Sequence, residues 1–430
     1  MLAAHEPLVA PSRLLRWTQN AAIFAVCANL FSTALGNLGF LAFVVLFLCL
    51  LAPGQRRHLD TGNFPLAVAV TMGLYIAWQV VGLSYTDAPM RYALKNIFSE
   101  RKMVYILPLV LIFSDAAPKR RFLIAFLAVS TLALVASSAL GMIPLQAWLK
   151  LFSQQDPRWV SRVISENQFL LRSNVTQGMV FALCAFLALW FSLLQQKPAA
   201  VWALRVLAAA FAINIATLTN GRSGYVVFLV LTVCAFAMRR GFRGVVVGLI
   251  SAACLAVFSF YTLPTVHRHV MQGVTEAREF ATAGRETSLG KRVLLYGVTL
   301  ELIRENPVLG LGTGGFKQRY SAIAAEKYSG WQSRPADDPH SQYLFILAEN
   351  GVIGLLTFLA LIFAILRSCL QSGSIYGKMA AGCVLAWCAT SLFSGHFRTF
   401  PEGHLIAFIV GILMVSRPAG APEVTGTKAS

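Results

Sequence analysis

The stretch DDPHSQYLFILAENGVIGLLTFLALIFAIL, Asp337 to Leu366, opens on two acids, a proline and a histidine and then turns apolar. From Ser341 to Leu366 it holds 26 residues with one charge, Glu349. About 20 predominantly apolar residues in a helix cross a bilayer. Apolar runs of this kind recur along the chain, at roughly 17–34, 37–53, 65–84, 101–115, 121–142, 175–195, 200–218, 224–239, 244–263, 341–366, 378–395 and 403–416. The composition agrees: the chain is 57 % hydrophobic and 13 % charged, where soluble domains hold about 45–50 % and 25 %. Transmembrane β-strands would repeat in alternating segments of about ten residues. The expected fold is therefore all-α, a polytopic membrane protein of about twelve transmembrane helices.

The spacing of the runs divides the chain. Residues 1–263 hold nine spans, 264–340 form a large loop with short helices at about 265–280 and 289–304, and 341–416 hold three more spans. Residues 417–430 are a Pro/Gly/Thr-rich stretch expected to be a disordered cytoplasmic tail. Arg13 and Arg16 lead into a first run without a small-residue cleavage site, which predicts an uncleaved helix. The eight cysteines lie in or just past apolar runs, as small core hydrophobes do.

The formal net charge is +18 over 430 residues. No soluble segment offers a nucleic-acid face, so the excess is read as topology. With a cytoplasmic N-terminus, Arg56-Arg57, Lys119-Arg120-Arg121, Lys197 with Arg205, Arg239-Arg240 with Arg243, and Arg367 with Lys378 all fall in cytoplasmic loops. Only Asp60 and Asp115 oppose them there. That is the positive-inside pattern, and it places both termini in the cytoplasm. The loop 264–340 then lies on the other side.

Candidate chemistry collects on that extracytoplasmic side. In the opening stretch Asp338 is a predicted N-cap and Pro339 a first helical residue, putting His340 in the first helical turn. A helix N-terminus disfavours imidazolium, and a neutral imidazole can accept a proton from a hydroxyl. Glu349, deeper in the span, needs a partner or a cavity. In TNGRSGY, Thr219 to Tyr225, Arg222 stands alone among small residues. A guanidinium at a span end can grip phosphate with two bonds, and Gly221 and Gly224 would let the backbone approach a ligand. In SLGKRVLLYG, Ser288 is a candidate N-cap, and Arg292 follows in the first turn. ENPVLGLGTGGF, Glu305 to Phe316, contains G-x-G but no preceding strand, so a dinucleotide site is excluded. A plain glycine turn, or backbone amides presented to an oxyanion, are the two possibilities left there. Arg91, Lys95, Arg101 and Lys102 form a basic group suited to an anionic, phosphorylated acceptor or to lipid headgroups.

Arg222 in NGRSG, Arg292 at the start of a loop helix, NPVLGLGTGGF and HSQYLFILAENGVIG, set in about twelve spans around one large loop, resemble the O-antigen ligase and polymerase superfamily of bacterial inner membranes. The chain departs from that pattern at Ser341, where an asparagine often follows the histidine. The resemblance implies a periplasmic active site. It also implies transfer of a polysaccharide from undecaprenyl diphosphate to a sugar hydroxyl of lipid A–core, by metal-independent, inverting chemistry without a cofactor. Carried over, His340, Arg222 and Arg292 are the catalytic residues. Arg222, Arg292, Asp338, Tyr343 and Arg172 are substrate-binding candidates, and Arg91, Lys95, Arg101 and Lys102 acceptor-binding ones. The expected partners are the lipid-linked donor, the acceptor and bilayer lipids, with the protein a monomer. A polymerase joining two carrier-linked units, a transferase to protein, and a lipid-linked sugar transporter are the rival functions. Transporters gather charge at the bilayer midplane, whereas here it gathers at one face.

Overall fold

The computed structural model of the chain describes residues 12–62, 64–142, 173–218 and 222–414, with residues 147, 150 and 171 besides. Among them regular structure is entirely helical. The helices are α1 (Arg13–Asn29), α2 (Thr33–Leu50), α3 (Leu66–Val81), α4 (Met90–Ser99), α5 (Arg101–Val104), α6 (Ile106–Ile112), α7 (Ala116–Met142), α8 (Asn174–Phe191) and α9 (Pro198–Thr217). They continue as α10 (Arg222–Thr262), α11 (Pro264–Ala283), α12 (Ser288–Glu305), α13 (Gly315–Lys327), α14 (Gln342–Gln371), α15 (Ile375–Thr390) and α16 (Phe400–Leu413). By length and composition α2, α3, α7, α8, α9, α10 and α14 are able to cross a membrane. The expected tail, 417–430, lies outside the described residues.

Two expected boundaries shift for local reasons. The run at 101–115 is not one helix but α5 and α6. Pro108 would clash in a helix interior, and the break at Tyr105 places it in the first turn of α6. The runs at 224–239 and 244–263 are joined as α10, yet Gly241 breaks that helix at φ 58° and ψ −137°. Beyond it the chain folds back. Gly248 lies so close to Val233 that an added Cβ would come 2.8 Å from its Cα, and Gly244 abuts Phe236. The two arms of α10 are thus an antiparallel pair in close backbone contact, which only a missing side chain permits.

Burial sorts the helices. α8 buries nearly its whole circumference from Met179 to Ala188, and α16 is buried from Glu402 to Leu413. A helix apolar all round belongs in the centre of a bundle. α2, α9 and α10 leave large apolar side chains such as Leu41, Val206 and Val257 exposed, as lipid-facing helices do. α11 to α13 cover one end. α12 turns Leu295, Val298 and Leu302 inward against Phe316, Tyr320 and Phe345, a second core that seats this cover on the start of α14.

Candidate active site

His340 does not lie in the first turn of α14. The helix begins at Gln342, with Ser341 as its N-cap, whose hydroxyl accepts from the Leu344 amide at 3.4 Å. His340 stands just outside, at φ 55°, the one non-glycine among the described residues with positive φ. The side chain that shapes this bend is Asp338. Its Oδ1 accepts from the His340 backbone N–H at 2.7 Å and lies 3.5 Å from His340 Nδ1. Asp338 is therefore not a helix cap but a turn-former for the histidine, a role short acidic side chains serve well. Buried Pro339 anchors the turn, and the imidazole is left 55 % exposed. With Nδ1 facing a carboxylate oxygen of Asp338, Nε2 is the nitrogen without that partner.

Arg292 reaches the same place from α12. Thr287, not Ser288, caps that helix, accepting from the Gly290 amide at 2.9 Å. One turn after Arg292, on the same helix face, the Tyr296 hydroxyl lies 3.4 Å from the His340 carbonyl and 3.1 Å from the Leu392 carbonyl. Arg292 is half-buried and holds no hydrogen bond or ion pair among the described residues. Lys291 beside it is neutralised by Glu286 at 2.6 Å. Gly290 is a packing position, since an added Cβ would fall 2.5 Å from the Phe280 ring.

Arg222, the first residue of α10, is not solitary in space. Its guanidinium meets Glu276 of α11 through Nη2 at 2.8 Å and Nη1 at 3.5 Å, with the arginine side chain 38 % exposed. The Glu276 carbonyl in turn accepts from the Thr287 hydroxyl at 3.2 Å, which ties the Arg222 corner to the start of Arg292's helix. Gly224 serves packing rather than a ligand: an added Cβ would stand 2.8 Å from the Cα of Gly178 on α8. Thr219 to Gly221 lie outside the described residues, as does Arg172. Tyr225 bonds Nδ1 of His269 at 3.1 Å. Burial, then Arg222 and Arg268, hold the His269 pKa below the ordinary histidine value. An open cavity of about 810 Å³ between the end of α10 and α11 is lined by Phe260, Tyr261, Met271 and Glu276 among others. It meets the arginine corner at Glu276, and no residue of the His340 segment lines it.

Sequence reasoning missed a buried polar network beneath this face. Glu349 accepts from Nδ2 of Asn96 at 3.2 Å on both oxygens and from the Phe316 amide at 3.4 Å. Arg398 donates to Oδ1 of the same asparagine at 2.7 Å, lies over the Phe345 ring at 3.6 Å, and brings Nε within 3.9 Å of Glu100. Lys102 donates to the carbonyls of Arg398 and Thr399 and is 2 % exposed, so it is withdrawn from any acceptor surface. The signal was legible: SGHFRTFPEGH, Ser394 to His404, interrupts two apolar runs with charge, and charge at membrane depth is seldom idle. Tyr343 is also engaged, donating to the Cys388 carbonyl at 2.9 Å and so bracing α14 against α15.

The glycine turn proves structural. Val352 donates to the Pro307 carbonyl and Leu311 to that of Ala348, both at 2.9 Å, where α14 is broken at Gly351. Among the described residues the oxyanion its backbone amides reach is the Glu349 carboxylate, through the Phe316 amide at 3.4 Å. At the start of α14, where the Gln342 amide donates to the Ser391 carbonyl at 2.9 Å, lie buried polar atoms with no partner among the described residues: Nε2 and Oε1 of Gln342, Nε1 of Trp387, Oγ of Ser391 and Nε2 of His396. Arg292 is near enough to His396 to act on it electrostatically. Burial first, then Arg292, keep its pKa low against the pull of Glu402.

The structure therefore brings His340, Asp338 and Tyr296 together at the covered end of the bundle, with Arg292 one turn before Tyr296 on α12 and Arg222 joined to that helix through Glu276 and Thr287. Arg91, Lys95 and Arg101 stand on or beside α4, which packs near the same segment. Among the described residues no group of three or more His, Cys, Asp or Glu side chains is arranged to hold a metal ion. The family described as O-antigen ligase matches residues 207–359, which include Arg222, Arg292, His340 and Glu349. No curated protein matches the chain.

Proposed function

We propose, from the premise that this chain belongs to the O-antigen ligase/polymerase superfamily, that it is a glycosyltransferase of the periplasmic face of the inner membrane. It moves O-antigen polysaccharide from undecaprenyl diphosphate to a sugar hydroxyl of lipid A–core. The observation that carries this is the turn that holds His340 beside Asp338 and meets Tyr296, one helical turn after Arg292, a cation with no partner among the described residues.

The reaction uses that pairing as follows. The acceptor hydroxyl lies against Nε2 of His340. Its oxygen attacks the anomeric carbon of the donor while the bond from that carbon to the diphosphate oxygen breaks. The hydroxyl proton passes to Nε2 and then to water, and undecaprenyl diphosphate leaves with the bonding electrons. One displacement inverts the anomeric centre. Arg292 meets the charge that grows on the diphosphate, where a fixed cation stabilises the transition state most. Arg222 is the second diphosphate contact and exchanges part of its bonding to Glu276 for the phosphate oxygens. Asp338 keeps the imidazole in the tautomer that accepts at Nε2.

The test is transfer by purified protein in nanodiscs with EDTA present, offering lipid-linked glycan and lipid A–core. A lipid A–core product from wild type, lost in His340→Ala and Arg292→Ala, supports the proposal. Glycan lengthening on the carrier alone would make the protein a polymerase. Lipid movement across the bilayer with no product would make it a transporter.

A further inference from the structure

α4 is ten residues long, MRYALKNIFS, about half of what a bilayer span requires. Its faces are sharply divided. Ala93 and Asn96 point inward, followed by Glu100, and the last two join the network of Arg398 and Glu349. Met90, Leu94 and Phe98, spaced i, i+4, i+8, point outward at 54 %, 50 % and 63 % exposure. Arg91 and Lys95 are exposed alongside that stripe. Arg101 closes its end, with the guanidinium 4.1 Å from the Phe98 ring and bonded to the Phe98 carbonyl at 2.9 Å. None of the three cations has a carboxylate partner among the described residues. Between residues 85 and 102 the acids are Asp87, which precedes the helix, and the inward Glu100.

An apolar stripe on a short helix, flanked by unpaired cations, matches an interface where acyl chains meet phosphates. A lipid-facing span would carry the stripe without the cations, and a water-facing helix the cations without the stripe. We propose that α4 lies in the membrane interface and binds the phosphates of anionic glycerophospholipid. Met90, Leu94 and Phe98 enter the acyl region, while Arg91, Lys95 and Arg101 hold the phosphodiester groups. The helix is also wired to the catalytic turn. Lys317 sits 5.5 Å above the ring of Tyr92 on α4 and pairs with Asp337 at 2.6 Å, three residues before His340. Lipid on α4 therefore steadies the His340 segment, a consequence that rests on the proposed catalytic role of His340, whereas the lipid site itself does not.

The test places the protein in nanodiscs with photoreactive phosphatidylglycerol or photoreactive phosphatidylcholine and maps the labelled peptides. A basic side chain at an anionic surface is worth about a fivefold preference. Wild type is expected to carry label from phosphatidylglycerol on residues 90–101 at least about tenfold over phosphatidylcholine. The variant Arg91→Gln/Lys95→Gln/Arg101→Gln leaves the inward residues Ala93, Asn96 and Glu100 unchanged and is expected to lose that preference. Equal labelling by both lipids, or labelling unchanged in the variant, would overturn the lipid site. Hydrogen exchange over 335–343 reads the coupling: slower exchange in phosphatidylglycerol than in phosphatidylcholine, absent in the variant, is expected. Exchange indifferent to lipid would overturn the link to His340. Neither readout requires transfer activity, so loss of the glycosyltransferase reading leaves both standing.

Discussion

Replacing Arg398 by Met should be among the most damaging single changes available in this protein. Four charges meet in the network, Arg398 and Lys102 against Glu100 and Glu349; the last three are buried, and the Arg398 side chain is 15 % exposed. Met keeps an unbranched, apolar stem over Phe345 but removes the cation, its 2.7 Å bond to Asn96 and its approach to Glu100. Two buried carboxylates then face one lysine. Breaking a buried pair on one side costs about 3–5 kcal/mol, because the remaining charge is left without compensation. Glu349→Gln alone leaves the opposite imbalance. Combined with Arg398→Met it restores neutrality, so the double variant should be more stable than the sum of the singles by about 2 kcal/mol. Arg398→Lys keeps the charge but loses the planar fork and should fall between. Denaturant-induced unfolding in detergent measures all four proteins. Arg398→Met within about 1 kcal/mol of wild type, or a strictly additive double variant, would refute the picture of a coupled charge network.

Other outcomes follow from single positions. Gly351→Ala forces a Cβ into the Val308 carbonyl at φ 63° and should cost about 2–4 kcal/mol from backbone strain and overpacking. Thermal unfolding would show it, while Gly297→Ala, with open space at its Cβ, should be neutral or slightly stabilising. Asp338→Asn keeps a turn-forming oxygen but loses the charge facing Nδ1, so the rate should fall about 10²-fold or more while hydrogen exchange over 337–343 stays near wild type. Asp338→Ala should change both. His269 is held neutral by burial and by Arg222, its folded pKa lying below the unfolded value near 6.5. As pH falls through that value the unfolded chain takes up the proton first. The contact between α10 and α11 should then loosen, seen as faster exchange over 264–276 and absent in His269→Gln.

How much was legible can be judged residue by residue. The apolar runs predicted helices because a membrane helix satisfies its backbone within itself, and hydrophobic length alone marks it. Those runs located α2, α3, α7, α8, α9, α14, α15 and α16 to within a few residues. Arg292 and His340 stood out as polar groups where apolar segments begin, and their local chemistry was readable. What surrounded them was not. Glu276 lies 54 residues from the arginine it pairs with, and Tyr296 lies 44 residues from the histidine whose carbonyl it approaches. Lys102 looked like one more surface cation beside Arg101, yet 296 residues of chain fold back to bury it against Arg398.

The sequence by itself determined that this is a helical membrane protein, which segments form its apolar helices, and which few polar residues had to be explained at their ends. Hydropathy and helix breakers act over one to a few turns, so they are written locally. The tertiary structure alone decided that Gly310 meets the break in α14 while Gly312 and Gly314 pack on Thr86 and Ala93, that Arg222 has a carboxylate partner while Arg292 has none among the described residues, and that His340 sits in a left-handed turn outside its helix. Each of these depends on which side chain arrives from a distant segment. That is set by packing the whole bundle at once, and no local pattern encodes it.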